Sequence, residues 1–301
     1  MKVIRMDLNE IEQLEDLAAC IGYFDGMHVG HMRLIEKTLE QADKKGLKSA
    51  CITFDPDPWC VIKQMKDIAH ITSMEERIEI GRQCGLDYWI ILSFTKQLAS
   101  LSYRDFEKML DQMNVKVLIC GFDYSYGYKG EGNVETLRKQ SYFDVIEVEE
   151  VTYEDEKISS SRIEETIQKG DMRTTTHLLG RPYSIKGTVA EGRSLGHTIG
   201  FPTANLKMKH HSILPLVGVY IGYAYVEGRH YKCMINVGHN PTFNYKEDIA
   251  VEAYLVDFDQ KIYGDEMELI FIERIRDEKR FASKEELVEQ LKCDVLKAKA
   301  L

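Results

Sequence analysis

Up to about Leu179 the chain alternates short apolar runs with helical patterns. Beyond Leu179-Gly180-Arg181-Pro182 the apolar runs follow one another with only turns between them. Strand–helix alternation builds β-α-β units and a parallel sheet, because parallel neighbours need a long crossover. Closely spaced strands with turn signals instead close into a small antiparallel barrel. The predicted architecture is therefore an α/β domain with a parallel sheet over residues 1–180. A small antiparallel β-barrel with a terminal helix follows over residues 181–301. A chain of 301 residues is long enough to give each domain its own core.

In the first half, Leu17–Ile21, Leu47–Phe54, Asp87–Leu92, Val115–Cys120 and Val145–Val151 read as strands. Leu34, Ile35, Leu39 and Ala42 lie on one helix face, and Gly46 stops that helix. Ser73 with Glu76 forms a capping box for a helix closed by Gly85, and Ser102 with Asp105 starts another. A short helix is expected over Val134–Gln140. Ser159-Ser160-Ser161 caps one that runs to about Gly170. Asp55-Pro56-Asp57-Pro58 is expected to end its strand in an exposed loop. In the second half, Ser184–Val189, Val217–Val226, Tyr231–Val237, Ile249–Asp257 and Met267–Ile275 read as strands. Ser283 with Glu286 opens a last helix with Leu287, Leu291 and Val295 on one face.

Composition excludes several classes. With 44% hydrophobic and 29% charged residues the chain is neither disordered nor fibrous. A net charge of −10 disfavours non-specific binding to nucleic acid or anionic membranes. No run approaches the roughly 20 apolar residues of a membrane span, and no apolar core of a signal peptide is present. The seven cysteines are odd in number and scattered, as free thiols of a reducing compartment are, so a cytoplasmic location is expected.

Two stretches carry chemistry. GYFDGMHVGH, Gly22 to His31, sits where a strand turns into a helix. Gly26 and Gly30 let backbone approach a ligand closely, and the helix N-terminus presents unpaired N–H groups. His28 and His31 can donate to phosphate oxygens. No nearby Cys or His completes a zinc set, so an anion-binding turn is the direct reading. In the second half, GRSLGHTIGFPTANL contains Gly192, Gly196 and Gly200 before Pro202-Thr203-Ala204-Asn205. The glycines alone describe a barrel loop as well as a phosphate cradle. Thr203 and Asn205, two apart on an extended segment, face the same way and offer hard oxygens suited to Mg²⁺. Asn236 to Thr242 reads equally as a turn. Glu252 interrupts an apolar strand, VEAYLVDF; alternation could point it to solvent, or it could act as a general base.

The H-x-G-H string in its GYFDGMHVGH form, followed downstream by GFPTAN and a strand glutamate, resembles the bacterial bifunctional riboflavin kinase/FMN adenylyltransferases across roughly Ala19 to Leu301. The resemblance implies a Rossmann-like nucleotidyltransferase domain followed by a riboflavin kinase barrel. ATP and riboflavin would give FMN, and FMN with a second ATP would give FAD and pyrophosphate. ATP, riboflavin, FMN and FAD are the implied partners, with Mg²⁺ carried by ATP, and no nucleic acid or membrane.

Carried over by position, His28, His31 and Glu252 would be catalytic. Gly22, Phe24, Asp25, Gly26, Gly30, Asp123, Lys157, Ser160, Ser161 and Arg162 would bind ATP for adenylylation. Gly187, Gly192, Gly200, Pro202, Thr203 and Asn205 would bind ATP for phosphorylation, with Thr203 and Asn205 on the metal. Phe54, Arg276, Glu278 and Phe281 would meet the flavin. The chain departs from the family pattern at Asp57, where Phe-Asp-Pro-His-Pro has histidine. It departs again at Lys157 and Glu164, where arginine is common, and at His197, where the family has Arg or Lys. The first three fall in the adenylyltransferase half and two of them remove positive or donor character beside a polyphosphate, so adenylylation is the activity more exposed to loss; His197, in the kinase loop, is a milder change. Two further readings remain open: one activity alone, or a non-catalytic flavin-binding regulator.

Overall fold

The computed structural model describes residues 1–66, 68–190, 199–239 and 249–301, and they form two compact units, Met1–Ser160 and Ser161–Leu301. The first contains β1 (Lys2–Met6), β2 (Leu17–Ile21), α1 (Val29–Lys45), β3 (Lys48–Asp55), α2 (Pro58–Ile62) and α3 (Met74–Gln83). It continues with β4 (Tyr88–Ser93), α4 (Lys96–Ala99), α5 (Tyr103–Gln112), β5 (Val115–Gly121) and a small hairpin of β6 (Ser125–Tyr126) and β7 (Gly132–Asn133). α6 (Val134–Leu137), β8 (Asp144–Val148) and the ribbon of β9 (Thr152–Tyr153) and β10 (Glu156–Lys157) complete it.

Its six-stranded parallel sheet has the order β1-β4-β3-β2-β5-β8. Alternate residues of the central strands feed different cores. Leu17, Ala19 and Ile21 of β2 join Ile52, Ile90 and Leu118 on one face. Ala18 and Cys20 join Cys51, Trp89 and Ile119 on the other. Burial on both faces is why these strands read as unbroken apolar runs.

β1 was not expected. It is an edge strand paired only with β4, and its Lys2, Val3 and Arg5 stay exposed, so it lacks the apolar run that marks the others. Two ends also shift: β8 stops at Val148 and α6 at Leu137. The expectation of an exposed loop at Asp57 is corrected. Asp57 is 7% exposed and caps α2 by accepting the Trp59 N–H at 2.7 Å, because Pro58 at the first helical position starts a helical turn there.

The second unit begins with α7 (Ser160–Lys169), whose first residue closes the first unit, and α8 (Met172–Leu179). β11 (Tyr183–Ala190), β12 (Ala204–Met208), β13 (Gly218–Val226), β14 (Arg229–His239), β15 (Ile249–Leu255) and β16 (Glu266–Arg276) then form a closed antiparallel barrel in the order β11-β12-β15-β14-β13-β16. The last helix is α9 (Lys284–Lys299). Strict alternation fills the barrel: Cys233, Ile235 and Val237 of β14, and Val251 and Ala253 of β15, are 0–2% exposed. β12 was missed because ANLKM is short and follows a proline. α9 lays its face against the outside of the barrel, where Val295 and Ala298 meet Ile221, Tyr254 and Ile275.

Candidate active sites

Between β2 and α1 the chain makes a turn that few residue types tolerate. Phe24 (φ 61°), Gly26 (φ 82°) and Met27 (φ 43°) are all left-handed. That conformation is free for glycine but costs on the order of 1 kcal/mol or more at each of the others. Burial offsets part of the cost, since Phe24 and Met27 are 1% and 0% exposed. The rest comes from Asp25. Its buried carboxylate accepts hydrogen bonds from the Ile71 N–H (3.1 Å), the Thr72 N–H (3.0 Å), the Thr72 hydroxyl (3.1 Å) and Arg77 Nη2 (2.8 Å). Asp25 therefore pins the turn from within and does not line the cavity beside it.

The two histidines stand at the head of α1. His28, 5% exposed, is the N-cap, and its Nδ1 accepts the His31 N–H at 3.3 Å. In the neutral ring this leaves the proton on Nε2. The two imidazoles stack at 3.6 Å and 17°, and Phe24 meets His31 edge-on at 5.1 Å. A Cβ at Gly30 would come within 3.1 Å of the His28 ring, so a larger residue there would have to push that ring by a few tenths of an ångström.

Beside them lies a cavity of about 270 Å³ lined by Gly22, Phe24, His28, Gly30, His31, Asp123, Lys157 and Ser160. It opens at the carboxyl ends of β2, β5 and β8, where α/β sheets bind ligands. Phe122, Asp123 and Tyr124 enter it from the end of β5, and Val148 to Val151 from the end of β8. Asp123 and Lys157 pair with each other, and Lys157 Nζ sits 4.8 Å over the Phe122 ring. The Ser160 hydroxyl donates to the Asp25 carbonyl at 2.9 Å. Ser161 and Arg162 belong to the second unit and are not among the lining residues. Phe54 is 9% exposed and packs edge-on against Phe94 at 5.6 Å, away from this cavity.

Asp57, which removes a histidine from the motif, acquires one from elsewhere. His70 Nε2 lies 3.0 Å from Asp57 Oδ2 and 2.7 Å from the Tyr23 hydroxyl. Burial pushes the Asp57 carboxyl up, but hydrogen bonds from His70 and the Trp59 N–H hold it below the usual carboxylate range. Burial likewise raises the Tyr23 phenol well above its ordinary value, and Arg77 only partly counters it. Neither His70 nor Arg77 stands out in sequence: His70 lies 13 positions from Asp57 and 47 from Tyr23, and Arg77 lies 52 positions from Asp25.

On the barrel, alternation sends Val251, Ala253 and Leu255 inward and Glu252 to the outer face. That face is not open solvent. Glu252 lines a cavity of about 620 Å³ with Asn236, Arg276, Glu278, Phe281 and, from α9, Leu287 and Leu291. The strand register sets Asn205 on one side of Glu252 and Asn236 on the other. Thr203 donates its hydroxyl to Glu252 Oε2 at 3.3 Å. Thr203 also lines a second cavity of about 330 Å³, with Pro202, Asp259, Lys261 and Tyr263. Thus Pro202, Thr203, Glu252, Arg276, Glu278 and Phe281 converge on these two hollows. Asn236, read as part of a turn, belongs with them. Gly187 does not: it lies in the barrel wall opposite Met208 and Met267. Gly200 is in neither lining. Gly192, Gly196, His197 and Asn240 to Thr242 fall outside the described residues.

Arg276 is tied down from behind. Its guanidinium meets the carboxylate of Asp294, 0% exposed on α9, at 2.8 Å, and Gln290 donates to the other oxygen at 2.9 Å.

Two family models match the chain, FAD synthetase over residues 10–162 and Riboflavin kinase over residues 179–301. Curated bifunctional riboflavin kinase/FMN adenylyltransferases match nearly end to end. The Bacillus subtilis protein is 38% identical over 94% of this chain and 91% of its own length. That of Listeria monocytogenes is 37% identical over 91% and 88%.

The chain belongs to the bifunctional riboflavin kinase/FMN adenylyltransferase family. The Escherichia coli K12 member is similar over 99% of this chain and 97% of its own, at 30% identity. Within the family frame, the first model covers the histidine turn and the second covers Thr203, Glu252 and α9. The residues between them, 163–178, carry most of α7 and α8. A crystal structure described as a macrolide-efflux protein from Streptococcus pneumoniae has the same fold, with a TM-score of 0.92, 33% identity and 99% of each chain covered. Among the described residues, no helix is long and apolar enough to cross a membrane.

Proposed function

We propose that this chain makes FAD from riboflavin in two steps, phosphorylating riboflavin in the barrel and adenylylating FMN beside the histidine turn. The observation that carries the reading is Glu252, set beside Thr203 where two cavities meet. Glu252 takes the proton from the riboflavin 5′-hydroxyl as its oxygen attacks the γ-phosphorus of ATP, and ADP leaves. The larger cavity, with Phe281, Leu287 and Leu291, suits the apolar ring system of a flavin. The smaller, with Lys261 and Pro202, suits the nucleotide.

No trio of His, Cys, Asp or Glu among the described residues can hold a metal alone. The hydroxyl of Thr203 and the amide oxygen of Asn205 nevertheless offer hard oxygens that fit Mg²⁺ arriving with ATP, beside the Glu252 base. Mg²⁺ there would neutralise phosphate charge. In the N-terminal unit, an FMN phosphate oxygen attacks the α-phosphorus of a second ATP and pyrophosphate leaves. The α1 N-terminus, His28 and His31 donate to the charge that builds on the leaving oxygens. Lys157 adds a cation at the same cavity. We place the enzyme in the cytoplasm, consistent with its free cysteines.

The test is a time course of the purified chain with riboflavin, ATP and Mg²⁺, separating the flavins. FMN should rise first and FAD should follow. FMN that accumulates without FAD would leave only the kinase. Loss of both products would leave a flavin-binding protein.

A further inference from the structure

We propose that Thr72 is a positioning residue for adenylyl transfer, an assignment that rests on the reading of the β2–α1 turn as the nucleotidyl site. Its hydroxyl, on a residue 6% exposed, uses its whole hydrogen-bonding capacity. It accepts from the Gly26 N–H at 2.9 Å and from Arg77 Nε at 3.2 Å, and it donates to Asp25 Oδ1 at 3.1 Å. One donor and two acceptor sites are all a hydroxyl has.

Arg77, 2% exposed, completes the clamp. Its Nη2 meets Asp25 at 2.8 Å and the Thr72 carbonyl at 2.9 Å, and its Nη1 donates to the Tyr23 carbonyl at 3.1 Å. Thr72, just before α3, and Arg77, within it, thereby grip Tyr23, Asp25 and Gly26, the residues that lead into His28. Left-handed residues such as Phe24 and Met27, flanking Asp25 and Gly26, persist only where their surroundings over-determine them. Release of the Gly26 N–H lets the turn relax and carries the stacked imidazoles with it. Neither Thr72 nor Arg77 lines the cavity, so each acts through the turn alone.

Thr72→Val keeps the side-chain shape and removes the hydroxyl, whereas Thr72→Ser keeps the hydroxyl. Misplacement of a transition-state donor by about 1 Å costs up to roughly 100-fold. Thr72→Val should lower kcat for FAD formation from FMN by roughly 10- to 100-fold, with KM for ATP little changed, and Thr72→Ser should recover most of it. Both tryptophans, Trp59 and Trp89, lie in this unit, so their fluorescence reports its folding separately from the barrel. The assays are run below the unfolding midpoint so defined. If Thr72→Val does not fold, Thr72→Cys replaces it, matched in size to Thr72→Ser but a weak hydrogen-bonding partner. A folded Thr72→Val, or Thr72→Cys against Thr72→Ser, with unchanged kcat overturns the proposal. His28→Ala is assayed alongside. If it too keeps full FAD formation, the fault lies with the reading of the turn; if it is inactive, with Thr72 alone.

Discussion

At the scale of single residues the two reactions separate cleanly. Glu252→Gln keeps the shape beside Thr203 but removes the proposed base, so riboflavin phosphorylation should fall roughly 10²–10⁴-fold while conversion of supplied FMN to FAD is untouched. His28→Ala or His31→Ala should do the reverse, lowering FAD formation on the order of 10²–10³-fold and sparing the kinase. Assays of each purified variant with riboflavin and with FMN check both; a variant that loses both activities, or neither, contradicts the assignment. The motif residues were legible because glycine and histidine spacing is local. Asp25 was legible as part of the motif, but its partners Thr72 and Arg77 were not. Their contacts with the turn span 46 to 54 positions, and nothing in their immediate sequence signals burial. Asp57 misled for a different reason: its two flanking prolines suggest a surface turn, whereas Pro58 starts α2 there and His70, 13 positions on, folds back onto it.

At the scale of elements, α9 helps to line the cavity proposed for the kinase reaction. Its first turns supply Leu287 and Leu291 to the lining, and its Asp294 holds Arg276. The carboxylate is fully buried and Arg276 is 19% exposed, so removing one partner strands the other charge. Asp294→Ala should destabilise the barrel by about 3 kcal/mol and raise KM for riboflavin, because α9 no longer seats against the cavity. Urea unfolding followed by circular dichroism, with kinase kinetics, tests this; unchanged midpoint and KM would count against it. Strands buried on both faces, such as β2 and β4, were readable as continuous apolar runs. β1 and β12 were not, since an exposed edge strand and a five-residue strand after proline carry too little apolar signal. α8, whose polar MRTTTH precedes Leu178, also went unread, because threonines hide its buried face.

At the scale of the molecule, the change in sequence pattern falls at residue 181, whereas the compact units divide after Ser160. α8 packs on β11 and β16 with Leu178 and Leu179 only 0% and 3% exposed. The Leu216 N–H donates to the Ile167 carbonyl of α7. A barrel cut at residue 182 loses this cover, so the self-sufficient piece should begin at residue 161. Under the proposed function, phosphorylation belongs to the second unit and adenylylation to the first. The most direct test of this division is to give fragment 161–301 riboflavin, ATP and Mg²⁺ and to separate the flavins. FMN should form at a rate close to that of the full chain, with no FAD however long the incubation. A folded fragment that cannot phosphorylate riboflavin, or one that forms FAD, would contradict the division.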